Sequence, residues 1–156
     1  MSLEGMYQEL ILDHHRNPIG KGLREPFSAQ THHINTSCGD ELTVRVALVG
    51  STIEDISWDG VGCAISQASM SMLADMCTNA PVADFERLLS QFLHVMHGRG
   101  HVTPDPSLGD ACAFEGVAQF AARVKCALLG WMAVEDAVAQ AQGVAAHDHI
   151  TQEEPS

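Results

Sequence analysis

The pattern of apolar and polar positions in the first half of the chain predicts one helix followed by a small sheet. Over residues 3–15, apolar side chains recur at helical spacing. Residues 42–49 alternate with a period of two, and residues 52–58 are rich in β-forming side chains, so these runs predict a hairpin around a Gly-Ser turn. Residues 30–36 can supply a third strand. We therefore predict an α+β fold in which an antiparallel sheet of about three strands packs against several helices.

The second half of the chain is predicted to be helical. Apolar positions between residues 65 and 76 form one helical stripe, which places Cys63 at or just before a helix N-terminus. A second stripe covers residues 85–96. Residues 98–109 contain two prolines and are predicted to form a loop. A final helical region is predicted from residue 114 to about residue 142.

Length, composition and charge limit the kinds of protein that this chain can be. Its 156 residues suit a single domain, which we place at residues 1–142, before a polar, acidic and flexible tail at residues 143–156. No apolar run approaches the roughly 18 residues that span a membrane, and no signal-peptide core is evident, so we expect a cytoplasmic protein. The net charge of −12 argues against nucleic acid or an anionic membrane as a partner.

The five cysteines are an odd number and lack the spacing of a disulfide framework. In a reducing compartment, such cysteines favour metal binding or thiol chemistry. Cys38, Cys63 and Cys126, together with Asp40, can supply the four ligands of a closed tetrahedral zinc site. Cys38 and Asp40 point the same way only in a strand or a turn, so we expect them at a strand end or in a loop. The alternative, equally open at this point, is that these cysteines are small buried apolar residues.

Four segments resemble, in order, the motifs of the U-type iron–sulfur assembly proteins, and within that family the SufU branch. Lys125 supports the SufU branch, because IscU-type scaffolds carry a histidine before the last cysteine, and residues 98–113 resemble the SufU insertion. The four segments are LILDHHRNPIGKG, TSCGDEL, GVGCAISQASMSML and FAARVKCALLGW.

The resemblance implies a fold, a cofactor and partners. It implies a SufU/IscU-like domain in which Cys38, Asp40, Cys63 and Cys126 bind one zinc ion per chain. It also implies that Cys38 is the thiol that accepts sulfur. The implied partners are a cysteine desulfurase of the SufS type and downstream iron–sulfur assembly proteins.

These implications lead to one main hypothesis and two alternatives. The main hypothesis is a zinc-containing sulfur-transfer protein, a sulfurtransferase-like acceptor that works with a desulfurase and is not a stand-alone enzyme. The first alternative is a scaffold that builds a labile 2Fe–2S cluster on the same ligands. The second is a structural zinc domain without chemistry. A zinc hydrolase is disfavoured, because its metal keeps a position open for water and here four ligands fill the site.

Several other residues invite a functional interpretation. Arg123 and Lys125 lie just before Cys126, where they can offset the negative charge of the site or meet a partner; an ordinary helix surface is the equal alternative.

The spacing of three histidines imitates a metal site, but two glycines interrupt any common helical face, so we expect no second metal there. Paired histidines, including that at position 14, are expected at the surface, and the remaining two cysteines are expected to be bystanders. The three spaced histidines are His94, His97 and His101, the paired histidine is His14, and the two cysteines are Cys77 and Cys112.

Overall fold

The structure, a computed structural model, describes residues 2–143. The predictions for the tail therefore lie, except for Gly143, outside the described residues. No helix in this part of the chain is both long and apolar enough to cross a membrane. The elements in chain order are α1 (Leu3–Arg16), β1 (Ala29–Asn35), β2 (Asp40–Val49), β3 (Thr52–Val61), α2 (Ala64–Cys77), β4 (Ala80–Pro81), α3 (Val82–His97), two 3₁₀ helices (Pro106–Glu115 and Val117–Gln119) and α4 (Ala121–Ala141).

The strands form one antiparallel sheet in the order β1-β2-β3-β4, which confirms the α+β prediction and the β2–β3 hairpin. The expected strand count was too low by one. The strand β4 has only two residues, which pair with Thr52 and Ile53 at the start of β3. Two residues carry no periodicity, so no strand was predicted at Ala80 and Pro81.

The helix α2 lies at the centre of the molecule. It contacts α1, α4, β3 and the first 3₁₀ helix, and every residue from Ser66 to Ala74 is buried. The approach to α4 is close, because a Cβ on Gly130 would lie 2.6 Å from the Met70 sulfur. The Trp131 indole N–H donates to the Ser69 hydroxyl at 3.0 Å, and its ring stacks on Phe92 with centroids 4.3 Å apart. This packing fixes the relative position of the two helices that adjoin the cysteine site.

The loop after α1 covers part of β3. The Trp58 N–H donates to the Gly20 carbonyl at 3.0 Å, and the Gly22 N–H donates to the Trp58 carbonyl at 2.7 Å. The Trp58 indole N–H also donates to the Ile19 carbonyl, at 2.8 Å. The segment that follows α1 therefore provides hydrogen-bond partners for the backbone of β3 at Trp58.

The segment between α3 and α4 differs from the prediction. The second part of the predicted loop, from Pro106 onward, is 3₁₀ helix. The helical region predicted from residue 114 begins with short 3₁₀ turns, and α4 begins only at Ala121. Phe120, which fits the helical spacing, has the extended backbone angles of a residue that precedes a helix, and its side chain is 59% exposed. The apolar spacing alone did not distinguish short 3₁₀ turns from the start of the long helix.

Candidate metal centre

Three separate parts of the fold meet at the cysteine site. Cys38 lies in the exposed turn between β1 and β2, and Asp40 is the first residue of β2. Cys63 is the N-cap of α2 and has extended backbone angles. Cys126 is buried in the second turn of α4. The predicted positions of Cys38 and Asp40 at a strand end, and of Cys63 at a helix start, are therefore confirmed.

The donor atoms of Cys38, Asp40 and Cys126 lie close together, and the Cys63 sulfur lies outside this group of three. The Cys38 and Cys126 sulfurs are 2.8 Å apart, and the Cys38 sulfur is 3.0 Å from Asp40 Oδ2. One ligand atom each from Cys38, Asp40 and Cys126 lie within 4.8 Å of one another. The Cys63 sulfur is 3.9 Å from Asp40 Oδ2, so it approaches this group through the carboxylate.

Asp40 is a buried carboxylate that is well supplied with hydrogen-bond donors. Its side chain is fully buried, and its Oδ1 accepts the Cys63 N–H at 2.9 Å. Burial by itself would raise the pKa of Asp40, but hydrogen bonds from Cys38, the Cys63 N–H, Cys126 and Ser66 outweigh burial and hold that pKa below its usual value. Asp40 is therefore an anion at neutral pH, enclosed among thiols.

Gly62 and Ser66 support this carboxylate. A Cβ on Gly62 would lie 2.5 Å from Asp40 Oδ1 and 2.6 Å from the Ser66 hydroxyl. Only glycine leaves room for the carboxylate at this point. The Ser66 hydroxyl also donates to the Cys63 carbonyl at 3.1 Å, which ties the first turn of α2 together. The glycine that directly precedes Cys63 was the available sequence signal for this close approach.

The same environment opposes ionisation of the thiols. Burial and then the hydrogen bond to Asp40 raise the pKa of Cys38. Burial raises the pKa of Cys126 strongly, and the neighbouring Cys38 and Asp40 raise it further. These pKa shifts arise first from burial and then from the anionic and sulfur groups that face one another. A divalent cation reverses such shifts, because it replaces the thiol protons.

The donor set fits a zinc ion in number and chemistry. Three sulfurs and one carboxylate oxygen complete a tetrahedral shell of the kind that zinc prefers. At zinc–sulfur distances of about 2.3 Å, tetrahedral sulfurs lie roughly 3.8 Å apart. The observed sulfur–sulfur distance of 2.8 Å between Cys38 and Cys126 is about an ångström shorter than that value. Small side-chain movements would therefore admit the ion.

The surface around the site combines positive charge with apolar side chains. Arg123 and Lys125 are both exposed on α4 next to Cys126. Val61, two residues before Cys63, is 64% exposed, and Ile34 is 37% exposed. Ile34 and Val61 both pair with the residue that follows Asp40, on opposite sides of β2. Exposed apolar residues beside a site are typical of surfaces that bind another protein.

A second cluster of potential ligands surrounds His14, which we expected at the surface. That expectation was wrong, because His14 is only 5% exposed. Its Nδ1 lies 2.7 Å from the Ser71 hydroxyl, and its Nε2 lies 3.0 Å from Asp110 Oδ2. The Asp75 carboxylate completes a group within 4.8 Å. The partners of His14 are 57 and 96 residues away in the chain, so no local pattern could have indicated this cluster.

The remaining candidate residues are not brought to either cluster. Within residues 2–143, none of the three histidines of the α3 region belongs to a group that could hold a metal ion. Cys77 is fully buried, and burial raises its pKa to about 12. The Cys112 thiol lies 3.5 Å from the Asp105 carbonyl, in the first 3₁₀ helix. Both cysteines are therefore placed as expected of bystander thiols.

Comparison with known proteins supports the resemblance that the four motifs suggested. The profile of the NifU-like N terminal domain matches residues 6–127. The zinc-dependent sulfurtransferase SufU of Bacillus subtilis is 34% identical over 142 residues, which cover 91% of this chain and 95% of that protein. The iron–sulfur cluster assembly scaffold protein IscU of Streptococcus pyogenes is 32% identical over 136 residues, with coverage of 87% and 84%.

Solved structures show the same fold. A putative iron–sulfur cluster assembly scaffold protein for the SUF system from Fervidobacterium islandicum superposes with a TM-score of 0.75 at 29% identity, covering 88% of this chain and 99% of that one. A nitrogen-fixing NifU-like protein from Brucella abortus, N-terminal part, superposes with a TM-score of 0.81 at 23% identity, covering 90% and 97%. The expected SufU/IscU-like fold is thereby confirmed.

Proposed function

Because this chain belongs to the family of NifU-like N-terminal domains, we propose that it transfers sulfur for iron–sulfur cluster assembly. In this proposal one zinc ion per chain is bound by Cys38, Asp40, Cys63 and Cys126. Cys38 accepts persulfide sulfur from a cysteine desulfurase of the SufS type and passes it to downstream assembly proteins. The observation that carries the proposal is the contact of one exposed thiol, Cys38, with a buried carboxylate and a buried thiol.

The positions of the three thiols support different roles. Cys38 lies in a turn and is exposed, so its side chain can move towards a partner without disturbing packed residues. Cys126 is 1% exposed within α4, and Cys63 caps the N-terminus of α2. Movement of either residue would disturb a helix that packs in the core. Cys38 is therefore the acceptor, and the other two hold the metal.

Sulfur transfer to Cys38 needs a reactive sulfur that is free to move. Bound zinc would keep the site's cysteines in the thiolate form at neutral pH. To react, the Cys38 sulfur leaves its position beside Asp40 and attacks the outer sulfur of the desulfurase persulfide. The sulfur–sulfur bond of the desulfurase breaks, a new one forms on Cys38, and the desulfurase cysteine departs as a thiolate. A histidine of the desulfurase is a suitable replacement ligand, since neutral imidazole binds zinc well.

The surface around Cys38 suits a docking partner. Arg123 and Lys125 supply positive charge in a chain whose net charge is −12. The exposed side chains of Ile34, Val61 and Phe120 supply apolar contacts. We assign these five residues to the desulfurase interface.

A scaffold function is the second candidate. The same four ligands can hold a 2Fe–2S cluster, and one carboxylate among three thiolates would bind it loosely enough for delivery. The similarity to the IscU scaffold protein of Streptococcus pyogenes favours this candidate too. Metal analysis of the purified protein separates the two functions. Tightly bound zinc supports sulfur transfer, whereas a brown chromophore after anaerobic loading with iron and sulfide supports the scaffold.

The decisive experiment maps sulfur during brief turnover with a SufS-type desulfurase and cysteine. We expect an alkylatable persulfide on the peptide that contains Cys38, and stimulation of the desulfurase. Cys38→Ser should abolish both while the domain stays folded. The matched control is Cys112→Ser, which removes a half-buried thiol outside the site and should change neither. Sulfur on Cys77 or Cys112, or full stimulation by the Cys38 variant, would contradict the acceptor role.

A further inference from the structure

The contact between Cys38 and Cys126 has a chemical consequence for any sulfur that Cys38 carries. The two sulfurs are 2.8 Å apart, although the residues are separated by 88 positions in the chain. Cys38 is exposed, whereas Cys126 lies behind it, buried in α4. The Cys63 sulfur, in contrast, approaches the group through Asp40, at 3.9 Å. Cys126 is therefore the thiol that faces Cys38 most directly.

We propose that Cys126 is a resolving thiol: when no metal holds it, Cys126 converts a persulfide on Cys38 into a Cys38–Cys126 disulfide and releases hydrosulfide. This inference rests on the proposed sulfur loading of Cys38 and extends it to the fate of the loaded sulfur. This reaction is additional to the binding of zinc by Cys126 and to the acceptance of sulfur by Cys38.

The reaction balances without an external oxidant. The Cys126 sulfur attacks the inner sulfur of the persulfide, which is the Cys38 Sγ atom. A Cys38–Cys126 bond forms, the bond between Sγ and the outer sulfur breaks, and the outer sulfur leaves with the electron pair of that bond. The Cys126 thiol proton departs with the outer sulfur as hydrosulfide. The persulfide is itself the oxidant, because its outer sulfur is reduced to sulfide while the two cysteine sulfurs become a disulfide.

The geometry selects the inner sulfur as the point of attack. Cys126 contacts the Cys38 Sγ atom itself, and the exposed side of Cys38 leaves an outer sulfur room towards solvent. Attack on the outer sulfur would instead move it into the buried space around Asp40, which is already filled by Cys63, Ser66 and Gly62. Two reactive groups held in contact react far faster than the same groups free in solution.

Zinc would protect a persulfide on Cys38 from this reaction, because Cys126 is one of the zinc ligands. While zinc holds the Cys126 sulfur, that sulfur is not free to attack, and the Cys38 persulfide persists until an acceptor arrives. In a chain without zinc, the sulfur is discharged and the site is locked as a disulfide. Only a chain with a complete metal site would then carry sulfur.

The test loads full-length protein with inorganic polysulfide under anaerobic conditions, so that no desulfurase is needed. Wild-type protein is compared before and after zinc is removed by a chelator, and again after graded addition of zinc. Non-reducing peptide mass mapping measures the Cys38–Cys126 link, and released hydrosulfide is measured in parallel. We expect about tenfold more linked peptide in zinc-free than in zinc-loaded protein, with one hydrosulfide released per link.

Two variants make the result specific. After unreacted polysulfide and the products of loading are removed, Cys126→Ser without zinc should retain the persulfide on Cys38 and release no further hydrosulfide, whereas Cys112→Ser should behave as wild type. Because Cys126→Ser can affect folding, the graded zinc addition to wild-type protein tests the same inference without a substitution.

A stable Cys38 persulfide in zinc-free wild type, a persulfide on Cys126, or linkage that does not depend on zinc would overturn the inference. Because polysulfide replaces the desulfurase, these outcomes do not depend on whether a desulfurase uses Cys38. Conversely, an absence of desulfurase stimulation would contradict the proposed function and leave this result standing.

Discussion

The cysteine site and the His14 cluster look alike as groups of atoms but differ in what their donors already bind. Each brings three potential ligand atoms within 4.8 Å of one another, from two segments at the cysteine site and from three segments around His14. In the cysteine site, the sulfurs of Cys38 and Cys126 contact mainly each other and Asp40. In the other cluster, both ring nitrogens of His14 already have hydrogen-bond partners. Proximity of ligand atoms is therefore insufficient to identify a metal site. The hydrogen-bond partners that each atom already has decide whether it is available to a metal ion.

The His14 cluster is best understood as a structural connection. Ser71 receives the Ile19 N–H at 2.8 Å as well as contacting the His14 ring, so it joins the end of the first helix to α2. Asp110 then connects the same ring to the first 3₁₀ helix. Buried polar groups that are fully paired hold elements in one arrangement. The segment between α3 and α4 is fixed to the rest of the fold at this point.

The largest expected effect comes from removing a ligand that is built into a helix. Cys63→Ser and Cys126→Ser should lose nearly all bound zinc, and the free energy of unfolding should fall by at least about 3 kcal/mol, because each ligand anchors a separate segment. Asp40→Ala should weaken zinc retention less and keep the domain folded. Zinc content and thermal unfolding of the purified variants provide the measurement. Full zinc retention in all three would remove the proposed site and leave the two clusters indistinguishable.

A smaller effect is expected when the carboxylate is displaced without removing a ligand. Gly62→Ala puts a methyl group against Asp40 and Ser66, so zinc affinity should fall by about 10- to 100-fold, as when a group that orients a ligand is lost. The matched control is Gly116→Ala, since a Cβ at Gly116 has no neighbour within 4 Å. Competition with a chromophoric zinc chelator measures both affinities. Equal affinities would show that the position of Asp40 does not control the metal.

The next prediction tests the structural interpretation of the second cluster. His14→Gln should reduce the free energy of unfolding by about 1–2 kcal/mol, because it takes the ring away from the buried Ser71 hydroxyl, while the zinc content stays the same. Asp75→Asn is the matched control, because Asp75 is an exposed member of the cluster. Loss of its carboxylate charge should change the metal content only if the cluster binds a cation. Denaturant unfolding and metal analysis are needed for both. If zinc decreases in both variants, the cluster is a metal site.

The smallest effect is expected from the histidines of α3. His94→Gln combined with His97→Gln should leave the zinc content per chain unchanged, because both side chains are exposed in the last turn of that helix and neither belongs to a ligand group in residues 2–143. Elemental analysis of the double variant is sufficient. A decrease of one zinc per chain would reveal a second site that includes these histidines.

Local sequence patterns determined those features that depend on neighbouring residues. The period of two over β2 predicted a strand that begins next to Cys38, and the helical stripe after Cys63 predicted that this residue starts α2. Gly130 lies inside the predicted final helical region, and a Cβ there would meet Met70. Periodicity, turn residues and small side chains act over a few residues, which is why they can be read directly from the chain.

Tertiary structure alone decided which distant residues meet. The two sulfurs of Cys38 and Cys126 are brought into contact by the packing of α4 against α2 and the sheet, and no spacing in the chain specifies their separation. His14 became buried because Ser71 and Asp110 lie beside it only in the folded chain. The short strand β4 exists because β3 offers free backbone groups to two residues without a pattern of their own. Such contacts arise when the whole core packs, so they follow from the global arrangement of the helices and the sheet.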